Sequence, residues 1–556
     1  MRAKKLLACA TSALAGITFT TAPLLAGPIV LGGGSGPATA TPIKHVVVIF
    51  GENISFDHYF GTYPAATNPG GEPKFNALPG TPSVNGLTFG LVTENPNFTN
   101  TANNVTSGGI TSEAANPFRL DRSQAATSDQ DHDYGPEQMA FDNGLMDLFP
   151  LSVGVPGPPP SSPAQATTKA LTMGYYDGNT VTALWNYAQN FALNDNSYGS
   201  TFGPSTPGAL NLASGQTNGA FDDTNPSGAL IGDGNGGLTD ISDADPAGDM
   251  CSTTSGETFK MGGQNIGDLL TAANVSWGFF EGGFNLSLTN PNGTTGCKRT
   301  TKSAITGSTK ADYIPHHQPF QYYATTANPN HTRPTSTAMI GRNGDAANHQ
   351  YDINDFYTAV SAGNFPAVSF LKAPGFQDAH AGYSDPIDEQ TFVVNVLNFL
   401  QQRPEWSSTL VIINYDDSDG WYDHQMSPII NQSTTEADAL TGPGACGKGT
   451  NSALPGVSAS TLHAQGRCGY GPRLPYMVIS PFAKQNFVDH TLTDQSSTIR
   501  FIEDNWLKGE RLGGGSFDAI AGPITNMLNF SKSSLFPVFL DPNTGQRVLF
   551  APKVTF

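Results

Sequence analysis

The sequence predicts an α/β fold, a three-layer sandwich built on a central, mostly parallel sheet. Three observations predict it: continuous apolar runs recur along the whole chain, helical periods lie between them, and stretches rich in Gly, Pro, Asn, Ser and Thr separate the two. Runs that stay apolar on successive residues suit strands buried on both faces. Strands alternating with helices imply a layered fold with parallel strands.

The first strand is read at Ile43–Phe50 (IKHVVVIF). A helix follows over Thr180–Leu193, where Val181, Leu184, Trp185, Ala188, Phe191 and Ala192 make one apolar face behind an Asn179/Thr180 cap. Next come a helix at Asn265–Ala273, strands at Val275–Phe280 (VSWGFF) and Ala367–Leu371 (AVSFL), and a helix at Pro386–Leu400. Strands at Thr409–Tyr415 (TLVIINY) and Tyr476–Ser480 (YMVIS) and a helix at Asp494–Trp506 complete the pattern. Segments near 65–128, 216–262, 283–345 and 427–470 read as long insertions decorating this core, and no internal repeat is apparent.

Residues 1–40 read as a secretory signal peptide, with Arg2, Lys4 and Lys5 ahead of a short, Pro-interrupted apolar stretch and small residues at Ala38-Thr39-Ala40 or Ala26 for cleavage. The Leu6-Leu7-Ala8-Cys9 run imitates a lipoprotein site but has no apolar stretch before it. No second stretch is long and apolar enough to span a bilayer, so the expectation is a soluble, secreted or periplasmic protein without stable membrane insertion. Residues 41–556 would accommodate two or more domains at about 100–200 residues each, yet the strands are spread evenly and predict a single domain. The net charge of −19 argues against a nucleic-acid partner and requires any phosphate site to bring its own positive charge. With Cys9 in the leader, Cys251, Cys297, Cys446 and Cys468 remain. The preferred disulfides are Cys251 with Cys297 and Cys446 with Cys468, each inside one polar segment; no CxxC spacing favours a metal. Asp233, Asp240, Asp243, Asp245 and Asp249 lack EF-hand spacing and read as a solvated acidic loop.

Ser205 lies in TFGPSTPGALNLASG, a Gly/Pro/Ser turn that breaks into an apolar helical pattern. Its hydroxyl therefore stands at a helix start, where an N-cap serine is the common use and where free N–H groups also favour a phosphate. Sites in open α/β sheets form beyond the carboxyl ends of strands. That rule selects Glu52 and Asn53 after the first strand, the loop reaching His380 after AVSFL, and Asp416 and Asp417 after TLVIINY. Together these offer oxygen ligands suited to a hard divalent cation, although capping or turn hydrogen bonds would explain any one of them.

The motifs GENISFDHYFG at 51–61, DQDHDYGPEQ at 129–138, the run 174–215 around Ser205 and YDDSDGWYDH at 415–424 resemble the bacterial phosphoesterase family of acid phosphatases and phospholipases C, in the alkaline-phosphatase-like superfamily. The resemblance runs from about residue 43 to about 506. It implies that Ser205 is a nucleophile forming a phosphoseryl intermediate, that Glu52, Asn53, Asp416, Asp417 and Ser205 hold a metal, and that His380, His317 and, more weakly, His132 contact phosphate or protonate the leaving group. His316 is the alternative to its neighbour, and Asp423-His424 is either a further ligand pair or a structural turn. Asp416-Asp417 in place of the Asp-His of two-metal relatives favours one oxygen-ligated ion, magnesium, calcium or manganese, with zinc also compatible. Ala209 stands where sulfatases carry arginine, which argues against a formylglycine at Ser205.

The resulting expectation is an exported, metal-dependent phosphoric-ester hydrolase acting on small phosphate esters or phospholipid head groups. An acid-phosphatase-like phosphomonoesterase is favoured, because phospholipases of the family commonly add C-terminal β-rich domains. The alternative is a phospholipase C acting on phosphocholine-type diesters. A non-catalytic surface-binding protein on the same fold would lack site residues, and none is missing at the matched positions.

Overall fold

A computed structural model describes residues 38–107, 109–157, 167–221, 228–232, 237–428, 440–442, 445–446 and 470–553. The apolar runs become the middle of an eight-stranded sheet: β1 (His45–Gly51), β2 (Ala192–Asn194), β3 (Trp277–Glu281), β4 (Gln350–Asp352), β5 (Val368–Lys372), β6 (Thr409–Tyr415), β7 (Tyr476–Ile479) and β8 (Phe487–Asp489), in spatial order β4-β3-β5-β1-β6-β7-β2-β8. The central strand β1 lies parallel to β5 (Val46 opposite Val368) and to β6 (Val46 opposite Leu410). Only β7 runs antiparallel to its neighbours, β6 and β2. Every residue of β3, β5 and β6 is buried, as two-sided coverage by helices requires. The result is the expected three-layer α/β sandwich.

The helices that bear on the site are α1 (Phe56–Phe60), α2 (Tyr134–Phe141), α3 (Thr182–Asn190), α4 (Ser205–Ser214), α5 (Ile266–Ala272), α6 (Ile353–Ser361), α7 (Pro386–Leu400) and α8 (Ser497–Trp506). Several start where side-chain chemistry dictates. Asn265 and Asp352 close capping boxes with Asp268 and Asp355, and Asp385 accepts from the Ile387 and Asp388 amides ahead of Pro386.

Two helix boundaries differ from expectation. The α3 helix stops at Asn190 and its apolar pattern continues straight into β2, so helix and strand merge in the sequence. The expected start at Asp494 moves to Ser497, because Thr493–Asp494 pairs with Ser197–Tyr198. The three unforeseen strands of this sheet, β2, β4 and β8, have only three residues each, too few for a periodicity to register.

Cys251 and Cys297 form the expected disulfide. The signal peptide, Asp233 and the pairing of Cys446 with Cys468 fall outside the described residues. The solvated acidic loop is corrected in part: Asp243 is exposed as expected and Asp245 is half-buried. Asp240 and Asp249 are buried, and Asp249 accepts from the Cys251 amide (2.8 Å), Tyr313 (2.7 Å) and Gln321 (2.6 Å) while meeting His331 at 3.0 Å. Asp249 is thereby consumed in tying the insertions near 216–262 and 283–345 to each other, whereas Asp240 Oδ2 is buried without a hydrogen-bond partner.

Candidate active site

Three parallel strands, β1, β5 and β6, end side by side and deliver their following loops to one place. Glu52 and Asn53 follow β1, Lys372 closes β5, and Asp416, Asp417 and Asp419 follow β6; all six are buried. Asn53 and Asp419 sit in the left-handed region (φ 62° and 53°), a conformation that short polar side chains tolerate and that concentrates at functional sites. The Asn53 amide donates to Asp416 Oδ1 (2.9 Å) and its side chain to Asp419 Oδ1 (3.2 Å), which locks the two loops together.

Ser205 is the first residue of α4. Pro204 is the N-cap and makes no side-chain cap bond. The serine hydroxyl is instead 2.9 Å from Glu52 Oε2, 3.2 Å from Asp417 Oδ2 and 3.4 Å from Asn53 Oδ1. The helix reaches the strand ends because Gly208 has no side chain, a Cβ there falling 2.3 Å from the Asp416 carbonyl oxygen. The amides at the helix start are not all free. The Thr206 N–H donates to Asp243 Oδ1 at 2.9 Å, so the insertion takes one of the groups expected for phosphate.

The imidazoles approach from other loops. His132 Nδ1 lies 2.7 Å from the Gln130 carbonyl and His380 Nδ1 2.6 Å from the Ala381 carbonyl. A carbonyl only accepts, so each Nδ1 carries a proton and each Nε2 is turned to other work. His132 Nε2 is 3.4 Å from Asn53 Nδ2, and the His132 and His380 rings meet edge to face at 6.0 Å. His317 Nδ1 is 3.3 Å from Glu52 Oε1 and 3.9 Å from Asp378 Oδ2. His316 points elsewhere, pairing with Asp245 at 3.3 Å and Asp243 at 3.9 Å. Asp423 and His424 join Asp57 and Arg473 in a separate buried network. There His424 Nδ1 is 2.6 Å from Asp57, and Arg473 bridges Asp57 (3.0 Å) and Asp423 (3.1 Å).

Electrostatics set the site apart. Burial raises Glu52 well above the usual carboxylate range, and nearby Asp416 adds to this against the opposing pull of Lys372. Burial, then Asp417, pushes Asp416 up to about 6. Burial pushes Asp417 up to about 8 against the pull of His132. Burial lowers His380 to about 4, and burial with Lys372 holds His317 well below its ordinary value. His132 moves the other way: burial opposes its charge, but Asp417, Asp419, Asp129 and Asp243 outweigh burial.

Crowded carboxylates in a low dielectric call for a cation. Lys372 supplies one charge, bonded to Glu52 Oε1 and 3.8 Å from Asp416 Oδ2. Asp416 Oδ2 is nevertheless buried without a hydrogen-bond partner. Glu52, Asn53, Ser205, Asp416 and Asp417 present oxygen donors of the kind a hard divalent ion takes. Asp129, His132, His380 and Asp419 bring their ligand atoms within 4.8 Å of one another beside it. Sequence reasoning missed Lys372, Asp378 and Asp419. Lysine at the end of an apolar run reads as a strand terminus, and only the β1–β5 pairing places it against Glu52.

The family model described as the Phosphoesterase family matches residues 43–507. The chain is 24% identical over 536 residues to phospholipase C A of Mycobacterium tuberculosis, covering 94% of this chain and 84% of that protein. It is 25% identical over 512 residues to the non-hemolytic phospholipase C of Pseudomonas aeruginosa, covering 91% of this chain and 60% of that one. The chain belongs to the Phosphoesterase family and is a hydrolase acting on phosphoric ester bonds.

Proposed function

We propose that this member of the Phosphoesterase family is a metal-dependent phospholipase C that cleaves phosphocholine-type diesters through Ser205. The observation that carries the reading is the meeting of the Ser205 hydroxyl with Glu52, Asn53 and Asp417 within 3.4 Å. The sequence leaned toward a phosphomonoesterase because a C-terminal extension was expected of phospholipases. A relative named phospholipase C is matched over 84% of its own length, which removes that ground.

In this reading Glu52, Asn53, Asp416, Asp417 and Ser205 hold one divalent ion, magnesium, calcium, manganese or zinc. Once bound, it lowers the serine pKa and offsets charge on the phosphoryl oxygens. Ser205 Oγ passes its proton to the Glu52 carboxylate beside it and bonds to phosphorus, and the bond to the leaving oxygen breaks as that oxygen takes a proton from the His132 imidazolium. Water then attacks the phosphoserine as His380 Nε2 takes its proton, the Oγ–P bond breaks, and Ser205 regains its proton from Glu52. The Nε2 atoms of His380 and His132 serve the proton steps, and His317 orients Glu52. Residues 41–556 act as one catalytic domain with its four insertions, released from the 1–40 leader into the periplasm or medium. No helix among the described residues is long and apolar enough to cross a membrane.

The test compares wild type, Ser205→Ala and chelated protein on a phosphocholine diester and a phosphate monoester. Ser205→Ala is expected to lose at least about 10³-fold in turnover, with chelation reversible by divalent metal. Full turnover in Ser205→Ala would sink the nucleophile assignment. Exclusive monoester hydrolysis would return the reading to a phosphomonoesterase.

A further inference from the structure

The substrate is an anion, while Glu52, Asp416, Asp417 and Asp419 crowd the nucleophile. Positive charge must therefore reach the phosphoryl group from the substrate side. Three buried cations are already committed: Lys372 to Glu52, Arg473 to Asp57 and Asp423, and Arg299 to Asp312 and Asp352.

Lys310 differs. It lies half-buried on the hairpin strand Thr309–Ala311, with Nζ 4.4 Å from the centroid of the Tyr383 ring, and among the described residues it makes no ion pair. The same ring stacks on His380 at 4.3 Å, and the Tyr383 hydroxyl donates to Asp378 Oδ2 at 3.2 Å. Asp378 in turn lies 3.9 Å from His317. Tyr383 thus links the Lys310 ammonium to His380 and, through Asp378, to His317. Its stem is held in place. The hairpin lies directly on the backbone of Gly375, where a Cβ would come 2.5 Å from the Ala311 carbonyl and 3.2 Å from Lys310 Cγ. Ser303, on the hairpin's turn, ties it to Asp388 of α7 at 2.6 Å. A cation on an aromatic face is held less firmly than one in a buried ion pair, so the ammonium can turn to an anion.

We infer that Lys310 binds the nonbridging phosphoryl oxygens of the incoming ester, on the side of the site where His317 and His380 stand. The inference rests on phosphoryl transfer at Ser205 and adds a specificity element to it. Coulomb attraction scales with charge, so a monoester dianion gains more from Lys310 than a diester monoanion does. Lys310 thereby sets how much monoester hydrolysis the enzyme retains.

The experiment uses metal-loaded wild type, Lys310→Ala and Lys310→Arg, with inorganic phosphate as the binding probe. Calorimetry of phosphate binding is repeated in a Ser205→Ala background, so that this readout does not depend on turnover. Lys310→Ala is expected to weaken phosphate binding about tenfold. The KM for 4-nitrophenyl phosphate should rise similarly, the KM for 4-nitrophenylphosphorylcholine should rise less, and kcat should stay within about twofold for both, since the lost contact is one of ground-state binding. Lys310→Arg should restore most of the affinity. Unchanged phosphate affinity in Lys310→Ala, or equal KM effects on the two esters, would overturn the inference. Loss of turnover in Ser205→Ala bears on the nucleophile alone, and retained turnover there with weakened phosphate binding in Lys310→Ala would separate the two proposals.

Discussion

Lys372 and Glu52 form a fully buried ion pair at the ends of two neighbouring strands, β5 and β1, directly behind the hydroxyl of Ser205. The pair places a permanent positive charge within reach of carboxylates that also form the candidate metal set. In the proposed metal-bound enzyme, lysine and ion would share the work of neutralising Glu52 and Asp416.

Lys372→Met tests that division. Leaving a buried carboxylate without its partner costs about 3–5 kcal/mol, so the metal-free variant should lose stability of that order in urea unfolding. Saturating divalent metal should recover much of the loss. An equal deficit with and without metal would mean that the lysine and the ion do not act on the same groups.

Gly208→Ala tests the contact between α4 and the β6 loop. The new methyl group would sit 2.3 Å from the Asp416 carbonyl, so the helix must move away. Overpacking of this kind costs about 1–3 kcal/mol, and a shift near 1 Å at a reacting group lowers turnover about 10²-fold. Thermal unfolding and kcat, measured together, should show a modest stability loss beside a large catalytic one.

The network of Asp57, His424 and Arg473 predicts a pH dependence of stability. Burial disfavours both charged forms, yet Asp57 raises His424 above 6.5, while His424 and Arg473 hold Asp57 below 3.8. A raised imidazole contributes fully below its unfolded pKa and loses that contribution as pH rises through its folded value. A depressed carboxylate contributes above its unfolded pKa and loses it as pH falls through its folded value. The stability gap between wild type and His424→Gln should be widest between about pH 4 and 6.5, narrowing on both sides in chemical unfolding at a series of pH values.

The Cys251–Cys297 bond spans 46 residues of sequence. Closing a loop of that length is worth about 4 kcal/mol in the chain-entropy account. Replacing both cysteines by alanine should lower the melting temperature. A reductant should shift wild type in the same direction, and by more than it shifts the double variant, which keeps Cys446 and Cys468.

The sheet's centre was legible because β1, β3, β5, β6 and β7 are apolar on consecutive residues, a pattern that only two-sided burial explains. Strand-end reasoning likewise brought Glu52, Asn53, Asp416 and Asp417 to Ser205. What stayed hidden depends on contacts between distant segments. Lys372 acquires meaning only from the register of β5 on β1. The acidic stretch 240–249 looked solvated because its partners, Thr206, Tyr313, Gln321 and His331, lie far along the chain. His316 and His317 are neighbours in sequence, and only the turn of Pro315–His317 sends one to Glu52 and the other to Asp245.

The bond between the Asn53 amide and Asp416 closes a sequence separation of 363 residues, and the one between Ser205 and Asp417 closes 212. Loop-closure entropy grows only slowly with length, but such contacts form late because everything between them must first be in place. A chain still being synthesised therefore carries Glu52 and Ser205 long before it carries Asp416 and Asp417. Any fragment ending ahead of Asp416 should fold, if at all, as an inert α/β layer, and phosphoesterase activity waits for β6 and the loop that follows it.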